Sequence, residues 1–257
     1  MSKCNYIYCA EVDSTSNELK RRLETCKMKN FTCIYTDFQS AGRGQTMIGG
    51  KSSNAWESEM GKNLLMSLLI RPNEVPVEMQ FFINQVVAIA IVDELNNIVP
   101  DKNVVIKWPN DIYAGDKKLC GVLIENTVIG MNIDTSIVGI GINVNQKEFF
   151  NAPNPTSLSL ISGRNINIEK LRKAIIKRII KYYEDVFVDV KLPLEELYNR
   201  YYSLLYRRDG LHKYALPTGE RFMASILGVD AYGLLSLKHA DGSIHKYAFK
   251  ELVYIFE

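Results

Sequence analysis

The residues with the clearest capacity for chemistry lie in a cationic, glycine-containing segment, KWPNDIYAGDKKLCG, at positions 107–121. Its lysines and its second glycine are Lys107, Lys117, Lys118 and Gly121. A further segment, GRGQ at positions 42–45, places Arg43 between two glycines. Glycine lets a ligand approach the backbone closely, and cations with accessible backbone N–H groups are what a bound phosphate or carboxylate requires. The two segments therefore predict an anion-binding site.

Several common catalytic and nucleotide-binding motifs are absent from the sequence. It has no G-x-x-x-x-G-K-[ST] loop and no G-x-S-x-G turn. The segment GIGIN at 139–143 lacks the third glycine and the following helix of a dinucleotide fingerprint, and we interpret its glycines as a sign of close strand packing. The histidines lie near the C-terminus without metal-ligand spacing, at His212, His239 and His245. What remains is chemistry between anions, because a carboxylate and a nucleoside triphosphate react only when cations screen and align them.

A cluster of small polar residues, DSTS at positions 13–16, precedes a helical pattern in which Leu19 and Leu23 are four residues apart. Two interpretations are open at this point. Such side chains commonly cap the first turn of a helix, and any of the four could do so. Alternatively, they belong to a functional site.

The hydrophobic pattern predicts an α+β fold with a mixed or antiparallel sheet. Short β-branched and aromatic runs at 5–9 and 31–36 flank the first helix, and the apolar spacing of residues 79–97 predicts a helix buried against a sheet. From 104 to 145 three β-rich runs follow one another with short turns, which favours an antiparallel meander over βαβ crossovers. The pattern therefore argues against a Rossmann sheet.

A long polar stretch rich in glycine and serine, residues 37–63, precedes the apolar strand LLMSLLI. A loop of this length inside a compact domain is usually functional. Two amphipathic helices are predicted at 167–188 and 193–205, after which the pattern changes to short strands with glycine turns. We therefore predict a large domain at residues 1–207 and a small C-terminal β-barrel at 208–257.

Composition and charge exclude several classes of function. The 31 basic and 29 acidic residues give a net charge of +2, so no field attracts a polyanion and nucleic acid is not an expected partner. The five cysteines are scattered and without Cys-x-x-Cys spacing, which argues against disulfides and structural zinc and fits a reducing cytoplasm. The N-terminus has no signal sequence and the apolar runs are shorter than a bilayer span, so no membrane association is expected.

Six segments occur in the order and approximate spacing of one known family. They are DSTS (13–16), FQSAGRGQ (38–45), NAWESEMGKNLLMSLLI (54–70), KWPNDIY (107–113), KKLCGVLIE (117–125) and GIGINVN (139–145). On these segments, from about residue 5 to 145, the chain resembles the biotin protein ligase family, in its monofunctional form without a DNA-binding domain. The resemblance continues more loosely to the C-terminus, and KWPND followed by KKLCGVLIE is its most specific part.

The resemblance implies a fold and a reaction. The fold is a catalytic domain similar to those of class II aminoacyl-tRNA synthetases, followed by an SH3-like barrel. The substrates are biotin and ATP with Mg²⁺, which give biotinyl-5′-AMP and pyrophosphate. A lysine on the biotin carboxyl carrier domain of a biotin-dependent carboxylase then attacks the mixed anhydride.

The resemblance also assigns residues to the binding of biotin and the adenylate. The head group of biotin would be bound by Ser14, Thr15, Ser16 and Gln39. A loop that folds over biotin and the adenylate would include Gly42, Arg43, Gly44 and Gln45. Gly121 would let the hairpin backbone approach biotin.

The remaining assignments concern the reacting groups. Lys118, together with Arg43, would act on the carboxylate and the charge developing at the α-phosphate, while Lys107 and Asn110 would lie beside the triphosphate. Asp111 would either help to hold Mg²⁺ or accept a hydrogen bond in the turn. Trp108 is interpreted as a packing residue and not as an adenine stacker.

The sequence departs from the family pattern in the glycine-rich loop. Many members carry G-R-G-R-x-G-R-x-W, whereas here Gln45 replaces the second arginine and a longer stretch precedes Trp56. Retention of the adenylate is therefore expected to differ, with Lys51 as an unsupported substitute for the missing cation. The chain also begins with the catalytic domain, so neither a winged helix nor repressor activity is expected. A homodimer is left open.

Two alternative functions remain on the sequence alone. A lipoate or octanoate ligase or transferase shares the fold, but its pattern lacks KWPND together with this GRG loop. A non-catalytic biotin-binding module would retain residues 14–16 and lose the cationic centre. The presence of Arg43 and Lys118 argues against the second alternative.

Overall fold

The computed structural model of the chain describes residues 2–44, 55–150, 152 and 154–256. The strands in these residues are β1 Asn5–Val12, β2 Thr32–Gln39, β3 Leu64–Ile70, β4 Val104–Lys107, β5 Asp111–Ala114, β6 Lys117–Ile129, β7 Asn132–Ile142, β8 His212–Ala215, β9 Arg221–Val229, β10 Leu235–His239, β11 Ile244–Tyr247 and β12 Val253–Tyr254. The helices are α1 Thr15–Thr25, α2 Gln80–Ile98, α3 Leu158–Ser162, α4 Ile168–Tyr183 and α5 Leu194–Ser203. A turn of π-helix, Glu184–Val188, continues α4.

The large sheet is mixed, as the sequence predicts. Its seven strands lie in the order β1-β2-β3-β7-β6-β5-β4. Strands β1 and β2 are parallel, with α1 as the crossover between them, and the other neighbours are antiparallel. In the register of the central strands, Gly121 lies opposite Gly141, and Gly139 lies opposite both Leu123 and Ser67. Because partners across a ladder face the same way, these residues share one face of the sheet.

Helices cover both faces of this sheet. Helix α1 packs on the face that carries the glycines, with Leu19 fully buried against Ile34, Leu69 and Ile137. Helices α2 and α4 pack on the other face and form the main core with β3, β6 and β7. Residues 14–16 at the start of α1 therefore lie on the same face of the sheet as the glycines.

Helix α2 is the predicted buried helix. Among the described residues, one helical stretch has the length and apolar composition to cross a membrane, and this stretch, Val77–Ile98, contains α2. Of its apolar 18-residue segment, 61% is buried inside the protein. Its interior residues, from Val86 to Val92, are at most 2% exposed. The burial accounts for its apolar composition as that of a core helix.

The first predicted β run of the meander is split in the structure. Residues 104–114 form β4 and β5, joined by a tight turn that contains the cis peptide bond between Trp108 and Pro109. Proline has no N–H to donate to a ladder, so Pro109 ends the strand. The hairpin that results places Lys107 directly opposite Asp111.

The C-terminal strands form a second, five-stranded antiparallel sheet in the order β11-β10-β9-β8-β12, consistent with the expected SH3-like domain. It shares its hydrophobic core with the large sheet. The Trp108 indole N–H donates to the carbonyl of Gly233 at 3.0 Å, and its ring lies edge-on to Phe249. Trp108 is 2% exposed and packs the two sheets together, in agreement with its interpretation as a packing residue. The boundary at residues 207 and 208 stays a prediction.

Candidate functional site

A cavity of about 220 Å³ opens on the glycine face of the large sheet. Eleven of the residues singled out from the sequence line it: Ser14, Thr15, Ser16, Gln39, Arg43, Gly44, Lys107, Asn110, Asp111, Lys118 and Gly121. Gly42 lies just outside the lining, where an added Cβ would come within 2.9 Å of the Trp56 carbonyl oxygen. Gln45 and Lys51 fall outside the described residues. The structure thus brings together segments that are up to about 100 positions apart in sequence.

One end of the cavity is a network of uncharged polar groups. The Thr15 hydroxyl lies 2.8 Å from Ser67 Oγ, and Ser16 Oγ lies 2.9 Å from the same atom. Gln39 Oε1 accepts from both the backbone N–H and the hydroxyl of Thr15, at 2.9 and 3.1 Å. No acceptor for Gln39 Nε2 is present in the described chain, which leaves this donor for a ligand.

The two interpretations of residues 13–16 can be compared on these contacts. Ser14 occupies the N-cap position of α1, but its side chain makes no capping hydrogen bond. The Asp13 carboxylate instead accepts from Arg21 and Asn17 at 2.7 Å, and the Arg21 guanidinium holds the pKa of Asp13 well below its ordinary value. Asp13 therefore stabilises the start of α1, while the buried hydroxyls of residues 14–16 face the cavity.

Three glycines form the floor of the cavity, and side chains fill the space that each leaves. A Cβ on Gly141 would come within 2.6 Å of the Trp56 indole, and a Cβ on Gly121 within 3.1 Å of the same ring. A Cβ on Gly139 would come within 2.8 Å of Ser16 Oγ. The GIGIN glycines are therefore required by the approach of site residues, and close strand packing is an incomplete explanation of them.

Lys118 lies at the opposite end of the cavity and is paired with a carboxylate. Its Nζ lies 2.7 Å from Asp111 Oδ1, with the two side chains 27% and 18% exposed. Backbone hydrogen bonds to Asn154 and from Thr156 fix the start of β6 around it. The side-chain Nδ2 of Asn110 donates to the Val122 carbonyl at 2.5 Å, and the backbone carbonyl of Asn110 accepts from the Val122 N–H at 2.9 Å. These two hydrogen bonds fix the turn against β6.

Lys107 lies near Lys118 but has a different environment. Its Nζ is 4.6 Å from the centre of the Tyr254 ring and 5.5 Å from that of Tyr113. Burial lowers the pKa of Lys107 from its ordinary value, and the nearby Asp111 opposes this shift only in part. The ammonium is therefore desolvated without a bonded anion in the described chain, and an anionic ligand would stabilise it.

Arg43, in the glycine-rich segment, also lines the cavity. Its Nη2 donates to Asn17 Oδ1 at 2.5 Å and lies 3.8 Å from Glu125 Oε2. Its Nε is buried without a hydrogen-bond partner among the described residues. Arg43 pairs with Ala55 across the ends of the loop. The guanidinium is thus oriented by two side chains and retains a donor for a ligand.

Sequence reasoning missed several residues of the site, namely Asn17, Trp56, Ser67, Glu125, Gly139 and Gly141. The alternation of Gly139 and Gly141 is a signal that could have found two of them, because every second residue of a strand faces the same side. Ser67 could be found only from the strand order, because β3 lies beside β7 in the sheet. Asn17 directly follows the DSTS segment and Glu125 ends the KKLCGVLIE segment, but the sequence does not show that both lie beside Arg43.

The arrangement suits a ligand that is uncharged and polar at one end and anionic at the other. Hydroxyl and amide groups provide donors and acceptors at the first end, and Lys107 and Lys118 provide cations at the second. Arg43 adds a third cation beside Asn17. Among residues 2–44, 55–150, 152 and 154–256 no group of three potential metal ligands is found.

Comparison with known proteins identifies similar sequences. The model of the biotin/lipoate A/B protein ligase family matches residues 8–143. The chain is 30% identical over 244 residues to the bifunctional ligase/repressor BirA of Bacillus subtilis strain 168, which covers 90% of this chain and 69% of that protein. It is 26% identical over 179 residues to the biotin–[acetyl-CoA-carboxylase] ligase of Mycobacterium tuberculosis, covering 67% and 63% of the two chains.

Solved structures of biotin protein ligases have a fold similar to that of this chain. A biotin protein ligase from Aquifex aeolicus in complex with biotin and ATP superposes with a TM-score of 0.77 at 26% identity, over 98% of this chain and 99% of that one. A Leishmania major biotin protein ligase with biotinyl-5-AMP superposes with a TM-score of 0.66 at 22% identity, over 96% and 100% of the chains. The similarity includes both the large and the small sheet.

Proposed function

Since the chain belongs to the biotin/lipoate A/B protein ligase family, we propose that it is a biotin–protein ligase that forms biotinyl-5′-AMP from biotin and ATP and transfers biotin to a lysine of a carrier domain. The observation that supports this best is the two-ended cavity. An uncharged ureido group fits the hydroxyl and amide end, and the carboxylate and triphosphate fit the cationic end.

In the first step a carboxylate oxygen of biotin attacks the α-phosphorus of ATP, and the bond to the leaving pyrophosphate breaks. Both reactants are anionic, so the reaction needs cations that offset their repulsion and stabilise charge developing at the α-phosphate. We assign this role to Lys118 and Lys107, which both line the cavity.

In the second step the neutral ε-amine of the acceptor lysine attacks the carbonyl of the mixed anhydride. The C–O bond to AMP breaks, and the amine loses a proton as the amide forms. The adenylate must be protected from water between the steps. We assign this protection to Arg43, because it lines the cavity, Asn17 anchors its Nη2, and no described residue accepts from its Nε.

Mg²⁺ would enter with ATP and would screen the phosphate charge. Asp111 was the candidate protein ligand, and its carboxylate is bonded to Lys118. No group of three potential metal ligands that includes it is found among the described residues. Because Mg²⁺ is commonly bound by substrate phosphates, water and one or two carboxylates, the residues fit a metal carried mainly by the triphosphate. Asp111 as its ligand stays a prediction.

The remaining expectations about the cell and the partners also stay predictions. The acceptor is expected to be the biotin carboxyl carrier domain of a carboxylase, and the protein to act in the cytoplasm without nucleic acid or membrane. A homodimer remains open. A lipoate or octanoate enzyme and a non-catalytic module are the alternatives, and the names of the similar proteins favour biotin over lipoate.

The function is tested by incubating the protein with biotin, Mg-ATP and a biotin carboxyl carrier domain, followed by intact mass of the carrier. We expect a gain of one biotinyl group that requires ATP and is lost when the acceptor lysine is replaced with arginine. Parallel reactions with lipoate and octanoate are expected to give no gain. Modification by either of these acids and none by biotin would overturn the proposal.

The glycine floor leads to a prediction about biotin affinity. Gly139→Ala places a methyl group against Ser16 Oγ and disturbs its hydrogen bond to Ser67. We expect KM for biotin to rise about tenfold, since a buried hydrogen bond left unmade costs about 1–3 kcal/mol. KM for ATP should change little, because the cationic end is untouched.

The matched test for this prediction is the double variant Gly139→Ala with Ser16→Ala, measured with each single variant. If the methyl group acts through the Ser16 hydroxyl, the two effects on KM for biotin will be less than additive. Strict additivity would show that the methyl group acts elsewhere.

A further inference from the structure

The two lysines at the cationic end of the cavity contact different kinds of group. Lys118 is paired with the Asp111 carboxylate at 2.7 Å. In the described residues no carboxylate oxygen lies within ion-pair distance of Lys107, and its ammonium lies over the faces of Tyr254 and Tyr113. The charge of Lys118 is therefore largely compensated before substrate binds, while that of Lys107 is not.

An aromatic support differs physically from a carboxylate. The negative face of a ring attracts an ammonium group and fixes its position, but it adds no net charge. A lysine held in this way keeps its full attraction for an anionic ligand. The neighbouring cations, Lys118 and Arg207, lower the pKa of Lys107 further, after the main effect of burial. An incoming polyphosphate would relieve both the desolvation and this repulsion.

Tyr254 belongs to the small C-terminal sheet, on β12. It is 7% exposed, its ring packs edge-on to Tyr214 at 5.1 Å, and its hydroxyl is buried without a hydrogen-bond partner among the described residues. What Tyr254 offers to Lys107 is thus the face of its ring and not its hydroxyl. The last strand of the small sheet thereby reaches the wall of a cavity that belongs to the large sheet.

We propose that Tyr254 is a positioning residue for adenylate formation, whose ring holds the Lys107 ammonium toward the triphosphate. The small C-terminal sheet then completes the nucleotide end of the active site in addition to packing against the large sheet. This inference rests on the proposed biotin ligase function, since it assigns the anion at Lys107 to ATP.

The first test compares Tyr254→Phe with Tyr254→Leu in the full chain. Phenylalanine keeps the ring and removes only an unpartnered hydroxyl, so KM for ATP should be unchanged. Leucine removes the ring, and KM for ATP should rise about tenfold, the loss expected for one desolvated cation–π contact. The Kd for biotin, measured without ATP, should be the same in both variants, because the hydroxyl end of the cavity is not involved.

Because Tyr254→Leu also disturbs packing, a second series keeps the shape of the residue. Phenylalanine, 4-fluorophenylalanine and 3,4,5-trifluorophenylalanine at position 254 weaken the negative ring face stepwise. We expect KM for ATP to rise in that order at constant Tm, and the trend to disappear in a Lys107→Met background. Equal KM values along the series would overturn the inference while leaving the ligase function intact. Absence of any adenylate with the unsubstituted protein would instead overturn the proposed function.

Discussion

Replacing Lys118 with alanine is expected to slow adenylate formation by a factor of about 10² or more, the loss expected when one preorganised electrostatic contact is removed. Lys118 is the cavity lysine that projects from β6 beside Gly121, with its Cε 3.6 Å from where a Cβ of that glycine would lie. The variant should fold normally, since the side chain lies at a cavity wall and not in the core. The rate of pyrophosphate release measures the effect.

The structure supplies a matched control and a partial rescue for this prediction. Lys117→Ala removes the same charge from the adjacent residue, whose side chain is exposed and faces away from the cavity. Its rate of pyrophosphate release should stay within about twofold of the unsubstituted protein. Lys118→Ala also leaves Asp111 as an unpaired anion that repels the substrates, so the added change Asp111→Asn should restore part of the rate. An unaltered rate in Lys118→Ala would show that another lysine has this role.

The elements of the fold could be predicted where the sequence pattern reports burial directly. Helix α2 has a continuous apolar stretch at residues 86–92, and the structure buries the helix between the large sheet and α4. The closely spaced β runs after residue 104 form the predicted antiparallel strands, and the short C-terminal strands form their own sheet. The split at Pro109 was not predicted, although proline there has no N–H for the ladder.

The residues of the site could be predicted as types but not as partners. The sequence shows that Lys107 and Lys118 are both near the hairpin, yet it does not show that Asp111 pairs with the second and that two tyrosine rings support the first. The register of β5 on β6 is irregular between Ile112 and Tyr113, and this irregularity is a property of the folded sheet. Tyr254 is 147 positions from Lys107, and only the docking of the small sheet brings the two together.

Replacing Arg43 with alanine is expected to release the adenylate rather than to prevent its formation. Lys107 and Lys118 remain in place for the first step, whereas the guanidinium of Arg43 is lost from the cavity lining. Hydrogen bonds to charged groups contribute about 1.5–3 kcal/mol, so the lifetime of bound biotinyl-5′-AMP should fall about tenfold to a hundredfold. Rapid filtration after one turnover measures the free adenylate directly. Arg164→Ala removes an exposed guanidinium from the turn after α3, outside the cavity lining, and should leave this lifetime unchanged.

Replacing the side chains that hold Arg43 should also shorten the lifetime of the bound adenylate, but by less than replacing Arg43 itself. Asn17 holds Nη2 by a 2.5 Å hydrogen bond, so Asn17→Ala would let the guanidinium move and should shorten the lifetime of the adenylate with little effect on pyrophosphate release. Glu125 lies further away, at 3.8 Å, and also accepts from Lys20, so its replacement is expected to have a smaller effect.

Because Gln45 replaces the second arginine of the family pattern, Arg43→Ala is expected to be more damaging in this chain than in relatives with two arginines. Gln45 lies outside the described residues, so its role is tested by substitution. If position 45 shares the task of retaining the adenylate, Gln45→Arg should lengthen its lifetime in the Arg43→Ala background, where no other loop arginine remains. The same change should have less effect when Arg43 is present, because the first guanidinium already binds the anion. Arg43→Ala with an unchanged adenylate lifetime, or with no adenylate formed at all, would show that Arg43 has a different role from retention.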